Sequence, residues 1–167
     1  SGSNCTITGN AGASGAILSY VDGVSKTAIS QANGSYSISV PYGWSGTVTP
    51  ALAGATFTPL SRSYISVTSA QTGQNYTAAL TISGNAGVAG ATLSYFDGTS
   101  KTVIANGSGN YSFTVPSNWS GTVTPSLATD AFCPVSQTYT NLLTVRTGQN
   151  YAHEACRSLS AVSKWTS

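Results

Sequence analysis

The sequence predicts an all-β chain: two tandem antiparallel β-sandwich domains of about seven strands each, followed by a short C-terminal tail. Three observations lead there. The chain copies itself: residues 7–78 laid over 82–153 need no gap and share 39 of 72 positions. The stretch Trp44-Ser45-Gly46-Thr47-Val48-Thr49-Pro50 returns unchanged as Trp119 to Pro125, 75 positions later. Second, apolar and polar residues alternate in short runs, punctuated by Gly, Asn, Asp and Pro roughly every 8–12 residues, as in a sandwich. Third, no stretch keeps a helical period for more than a turn or two. A unit of 75 residues folds alone but has a modest core, burying roughly 60% of the surface its unfolded chain exposes. Two small domains therefore suit this chain of 167 residues better than one.

The elements of the first repeat follow in order. Cys5-Thr6-Ile7-Thr8 reads as a short strand ended by Gly9-Asn10, and Gly12 to Gly15 as a small-residue loop. Ala16 to Val21 is a second strand, closed by Asp22-Gly23, a hairpin signal because both residues tolerate positive φ. Lys26 to Ile29 is a third, ended by Ala32-Asn33-Gly34. Ser35 to Val40 alternates throughout, with Tyr36, Ile38 and Val40 on the buried side and serines on the wet side, until Pro41 stops it. Trp44 opens the next strand, with Trp44, Val48 and Leu52 sharing a face and Pro50 bounding it. Phe57-Thr58-Pro59 together with Tyr64 to Val67 forms a sixth strand region, and Asn75 to Ala78 the last. The second repeat copies each item. Val21 becomes Phe96, Ile38 becomes Phe113 and Val67 becomes Leu142, exchanges that read as keeping a buried face apolar.

Domain boundaries fall at 1–78 and 79–153, with 154–167 as the tail. Gln74 to Ala78 runs into Ala79 to Ile82 without a Gly-, Pro- or Ser-rich linker, which predicts a stiff, extended rod. Charge is sparse: Lys, Arg, Asp and Glu make up 6% of the chain, against roughly 25% in ordinary domains. The 9 Tyr, 3 Trp and many β-branched residues exclude a disordered chain. Scattered basic residues with a net charge of +2 form no stripe, so nucleic acid is not an expected partner. No apolar run approaches the roughly 20 residues of a membrane span, so membrane insertion is not expected either. Methionine is absent even at position 1, so Ser1 is not a translational start; a signal peptide has been removed or the chain is part of a longer one. Composition rich in Ser, Thr, Asn and Gly points to an extracellular or cell-surface location.

A family resemblance rests on a fixed order of motifs. Ile7-Thr8-Gly9 is followed by Gly15-Ala16-Ile17-Leu18-Ser19-Tyr20, then Asp22-Gly23, then Gly34-Ser35-Tyr36-Ser37-Ile38-Ser39-Val40-Pro41, and Gly109 to Val115 repeats the last core. This resembles the bacterial extracellular repeats of the carboxypeptidase-regulatory-like and collagen-adhesin B-type groups, over nearly all of both copies. The resemblance implies prealbumin-like or Ig-like sandwiches in an extracellular stalk, adhesin or filament, and no enzymatic activity. The family's usual Gly-x-Tyr step after the proline is replaced here by Trp44-Ser45-Gly46 and Trp119-Ser120-Gly121. The collagen-adhesin group also implies Lys–Asn isopeptide bonds, for which Lys26 with Asn75 and Lys101 with Asn150 are the candidates. The bland reading is that the lysines are solvated and that Asp22 and Asp97 are ordinary turn residues.

The chain has three cysteines, Cys5, Cys133 and Cys156. An odd count in a secreted protein points to an intermolecular bond or a free thiol. Shifted by 75, Cys5 falls on Leu80 and Cys156 on Thr81, adjacent places at the junction of the two repeats. Subunits stacked head to tail in copies of that junction would bring Cys156 of one chain near Cys5 of the next. The rival pairing is an internal Cys133–Cys156 bridge tying the tail to the second domain. These cysteines and the single His153 show no ligand spacing, so no metal or other cofactor is expected. Aromatic residues suit a glycan-contact face: Tyr20, Trp44, Tyr95 and Trp119, within a wider set of Tyr36, Tyr64, Tyr76, Tyr111, Tyr139 and Tyr151. Their apolar strand neighbours suit core packing better. The acids Asp22, Asp97, Asp130 and Glu154 offer no local pair for acid–base chemistry, so the chain does not read as an enzyme. The reading is a structural extracellular protein, a subunit of a surface filament or stalk assembled head to tail. Its partners are copies of itself and, beyond them, other surface proteins or glycans. The alternative is a carbohydrate-binding or adhesive surface module.

Overall fold

In a computed structural model, which describes residues 2–154, strands account for all the regular structure, and none of the described residues is helical. The tail expected at 154–167 lies outside the described residues except for Glu154. The chain divides into two compact units. Unit 1 holds the described residues up to 80 with 116–118 and 143–145; unit 2 holds 81–115, 119–142 and the described residues from 146 on.

Unit 1 begins with β1 (Asn4–Asn10), β2 (Ile17–Asp22), β3 (Val24–Ile29) and β4 (Ser35–Pro41). It continues with β5 (Trp44–Ala51), β6 (Ala55–Thr58), β7 (Arg62–Val67) and the start of β8 (Thr77–Asn85). One sheet has the order β3-β2-β5-β7, antiparallel throughout. The other layer is built on β1. β4 pairs with it antiparallel, Ile7 opposite Ile38 and Cys5 opposite Val40. On the other side of β1 the segment 71–76 runs parallel to it, through a bridge between Ile7 and Gln71 and bonds from Thr8 N to Gln71 O (2.8 Å) and Tyr76 N to Asn10 O (2.8 Å). β8 then pairs with β6, Phe57 opposite Ala78. Ile7, Leu18, Ile38, Val40 and Val48 fill the space between the layers and are fully buried. Apolar burial of this kind drives the two layers together, each aliphatic side chain contributing about 1.5–3 kcal/mol.

Unit 2 repeats the plan with the second part of β8 and then β9 (Thr92–Phe96), β10 (Ser100–Ile104), β11 (Asn110–Pro116) and β12 (Trp119–Ser126). β13 (Phe132–Cys133), β14 (Gln137–Leu142) and β15 (Ala152–His153) complete it. Its sheets have the orders β10-β9-β12-β14, β11 against β8, and β13 against β15. The registers match residue for residue: Thr124 opposite Ser94 repeats Thr49 opposite Ser19, and Phe132 opposite His153 repeats Phe57 opposite Ala78. Ile82, Leu93, Val115, Val123 and Leu142 are its fully buried aliphatics.

Four details differ from the sequence reading. The sixth strand region is two strands, β6 and β7, which belong to different sheets. Asn75 and Tyr76 precede β8 and belong to the segment beside β1. Pro50 lies inside β5, one residue short of its end, whereas Pro41 is the last residue of β4 as expected. β7 covers β5 only from Trp44 to Val48, so the N–H that Pro50 lacks leaves no gap in that pairing. Finally, Val21 and Phe96 are both exposed, whereas the other two exchanges, Ile38 for Phe113 and Val67 for Leu142, are buried in both copies.

Candidate functional site

The repeated Trp-Ser-Gly stretch is a packing device. Between Trp44 and Gly46 the β5–β7 register shifts, and the same shift recurs between Trp119 and Gly121. The irregularity turns the indole back over the glycine: a Cβ added at Gly46 would lie 2.3 Å from the Trp44 ring, and one at Gly121 would lie 2.3 Å from Trp119. Indole Nε1 donates to Val21 O in the first copy and to Phe96 O in the second, both at 2.8 Å. Tyr20 meets Trp44 edge to face at 6.2 Å, and Tyr95 meets Trp119 likewise at 6.4 Å.

The glycan-contact reading of the aromatic residues is corrected by these contacts. Trp44, Trp119 and Tyr20 are buried, and Tyr95 is half-buried, stacked on Phe113 at 4.1 Å. In the wider set, Tyr36, Tyr76, Tyr111, Tyr139 and Tyr151 are buried as well. Tyr76 and Tyr151 donate to Val48 O and Val123 O, each at 3.0 Å, and Tyr36 and Tyr111 to Gln74 O and Gln149 O. Loss of solvent favours the neutral phenol, so burial pushes Tyr36, Tyr111 and Tyr151 well up and Tyr76 up to about 12.

The isopeptide candidates are not brought together. Lys26 Nζ donates to Asp22 Oδ2 at 2.8 Å and Lys101 Nζ to Asp97 Oδ2 at 2.7 Å, across the β2–β3 and β9–β10 turns. These hydrogen bonds raise both lysines above their ordinary range. Asn75 Oδ1 instead accepts from Asn10 N, and Asn150 Oδ1 from Asn85 N, each at 2.8 Å. Lysine and asparagine thus serve opposite layers of each unit.

Among the cysteines, Cys5 is a buried free thiol on β1. Its counterpart Leu80 is fully buried, so this is a core position that Cys5 fills as a small apolar side chain. Cys133 is exposed on β13, opposite Ala152. Cys156 lies outside the described residues, and with it both proposed pairings.

The structure assembles one constellation that the sequence reading kept apart. The turn after β12 closes with Asp130 N donating to Leu127 O at 2.9 Å, which sets Asp130 just ahead of β13. Antiparallel pairing of Phe132 with His153 then brings the imidazole back beside it. His153 Nε2 lies 2.7 Å from Asp130 Oδ2, and its ring packs on Phe132 at 5.6 Å. Glu154 adopts a left-handed backbone (φ 60°), with its N–H donating to Ala131 O at 2.8 Å. That turn ends the β13–β15 ladder and leaves a second carboxylate at the same place. One donor atom from each of Asp130, His153 and Glu154 lies within 4.8 Å of the others. Asp130 and His153 are half-buried and Glu154 is exposed. Chemically, this is an imidazole between two carboxylates, able to hold a proton or a cation. The separation of 23 positions between Asp130 and His153 hid the pair from any local motif. The legible signal was the offset: the three residues stand where the first copy has Ala55, Ala78 and Ala79.

No family model matches the chain, and no curated protein matches it. Among solved structures, the Bacillus anthracis TIE protein is similar at a TM-score of 0.37 and 10% sequence identity, over 90% of this chain. This chain spans 34% of the length of that one.

Proposed function

We propose that this chain is a structural extracellular protein, a subunit of a surface filament or stalk that assembles head to tail with copies of itself. The reading rests on β8. Shifted by 75, β15 (Ala152–His153) falls on Thr77 and Ala78, and β1 (Asn4–Asn10) falls on Ala79 to Asn85. β8 runs Thr77–Asn85, so the first and last described strands of the chain are the two portions of this one strand. A contact in which β15 of one subunit leads to β1 of the next would rebuild the strand with its usual partners. Such a contact is heterologous and propagates as an open polymer. Sparse charge also fits a surface that meets protein, and other surface proteins or glycans are further partners on this reading.

Sedimentation velocity and negative-stain microscopy of the purified chain test it. Fibres of uniform width, growing with concentration, are expected. A chain that stays single at every concentration, and instead binds in a glycan array, would replace this reading with that of an adhesive module.

A further inference from the structure

We propose that Asp130, His153 and Glu154 form a binding site for a divalent transition-metal ion of the zinc class, present in unit 2 and lacking in unit 1. This inference is independent of how the chain assembles. The comparison of the two copies carries it. The whole chain has four carboxylate residues and one histidine. Two of the acids, Asp22 and Asp97, are repeat equivalents, each paired with its own lysine. The remaining two acids and the histidine are the residues that meet here. The first copy shows that the fold does not need them, because it has alanine at all three positions. In unit 1 the ladder runs from Ala55 opposite Leu80 to Thr58 opposite Thr77. In unit 2 it is two pairs long, Phe132 with His153 and Cys133 with Ala152. The three donors stand where that ladder stops.

The chemistry of the donors selects the ion. Two carboxylates beside one imidazole carry excess negative charge, and no lysine or arginine among the described residues forms an ion pair with either. An imidazole with carboxylate oxygens suits zinc and its neighbours in the first transition row. Calcium and magnesium prefer sites made of oxygen alone. Zinc takes imidazole nitrogen and carboxylate oxygen at about 2.0–2.2 Å, so tetrahedral donors lie roughly 3.3 Å apart. The Asp130–His153 contact would open slightly to admit the ion, while Glu154 closes in from within 4.8 Å. Three protein donors leave a coordination position for water. Bound there, the ion would join the turn before β13 to the end of β15 and extend the short ladder.

Titration calorimetry of the full chain with zinc chloride tests this, with calcium and magnesium chloride as controls. One zinc ion per chain is expected, with neither control saturating in the same range. Affinity should fall at least tenfold in His153→Ala and several-fold in Glu154→Gln. The triple variant Asp130→Ala/His153→Ala/Glu154→Ala restores the first copy's residues and should keep the circular dichroism of the parent. If it fails to fold, the exposed Glu154→Gln still decides. Cobalt bound in place of zinc should give a spectrum without a thiolate charge-transfer band. Zinc binding that is absent, that is unchanged in His153→Ala and Glu154→Gln, or that shows the thiolate band would overturn the assignment.

Discussion

An alanine Cβ at position 46 would lie 2.3 Å from the indole of Trp44, so the glycine is set by the tryptophan two residues before it. Gly46→Ala must push the ring off its hydrogen bond to Val21 O or distort β5. Overpacking of this kind costs about 1–3 kcal/mol. Urea denaturation should show that loss, and Gly121→Ala should show a similar one; a variant as stable as the parent would refute the packing role. The buried tyrosines make a second prediction, about alkaline pH. Unfolded phenols ionise near pH 10. Tyr76 is held neutral to about 12, and Tyr36, Tyr111 and Tyr151 are also raised. Their contribution to stability is therefore complete below pH 10 and is lost as the pH rises above it, because the unfolded chain releases protons that the folded chain retains. Melting temperature should fall between about pH 10 and 12, with tyrosinate absorbance from these residues rising together with unfolding. Ionisation of all 9 tyrosines near pH 10 in a still-folded chain would contradict it.

At the scale of elements, the close approach of β1 to the segment 71–76 depends on a missing side chain. A Cβ at Gly9 would stand 2.2 Å from the carbonyl oxygen of Gln74, and one at Gly84 would stand 2.1 Å from that of Gln149. Backbone cannot move aside as a side chain can. Gly9→Val is expected to open the parallel pairing, and hydrogen exchange should show faster exchange at the Thr8 and Tyr76 amides, which bond across it. Unchanged protection there would mean that the segment is held by other contacts. The edge strands β3 and β10 carry a different constraint. Exposed Val24 and Ile29 on β3, and Ile104 on β10, leave Lys26 and Lys101 as the charges that discourage pairing with a neighbour. Lys26→Val/Lys101→Val should raise light scattering at a fixed concentration and also lower the melting temperature, because Asp22 and Asp97, whose side chains are only 6% and 7% exposed, lose their counter-charges.

At the scale of the whole chain, reuse of one sandwich explains why the buried residues, and the Asp–Lys pairs at the β2–β3 and β9–β10 turns, recur at a constant offset. The offset also bears on Cys5. Positions 80 and 81 are neighbours on β8 and therefore point to opposite faces of the sheet, with Leu80, and so Cys5, facing inward. A rebuilt β8 does not by itself present the Cys5 thiol for an intersubunit bond. Cys5 should resist a thiol reagent in the native chain and react when unit 1 unfolds, and Cys5→Ala should assemble as the parent does. Rapid native labelling at Cys5 would show that β1 opens readily and would reinstate it as a linking residue.

The repeat, the alternation of Tyr36, Ile38 and Val40, and the Asp22-Gly23 and Asp97-Gly98 hairpins were legible in the sequence, because strand period and turn chemistry are local properties. Local pattern did not reveal that Phe57 and Tyr64 lie on strands of different sheets, because both layers show the same period of two. Nor did it reveal that Val21 and Phe96 face outward. By itself the sequence determined the strands, the 75-residue unit and the apolar interior. The tertiary structure alone decided which residues meet. Register between β13 and β15, set by cooperative pairing and burial of Phe132, brought Asp130 to His153 and Glu154 from 23 or more positions away. Proximity across so long a stretch of chain belongs to the folded layers and to no motif along the chain.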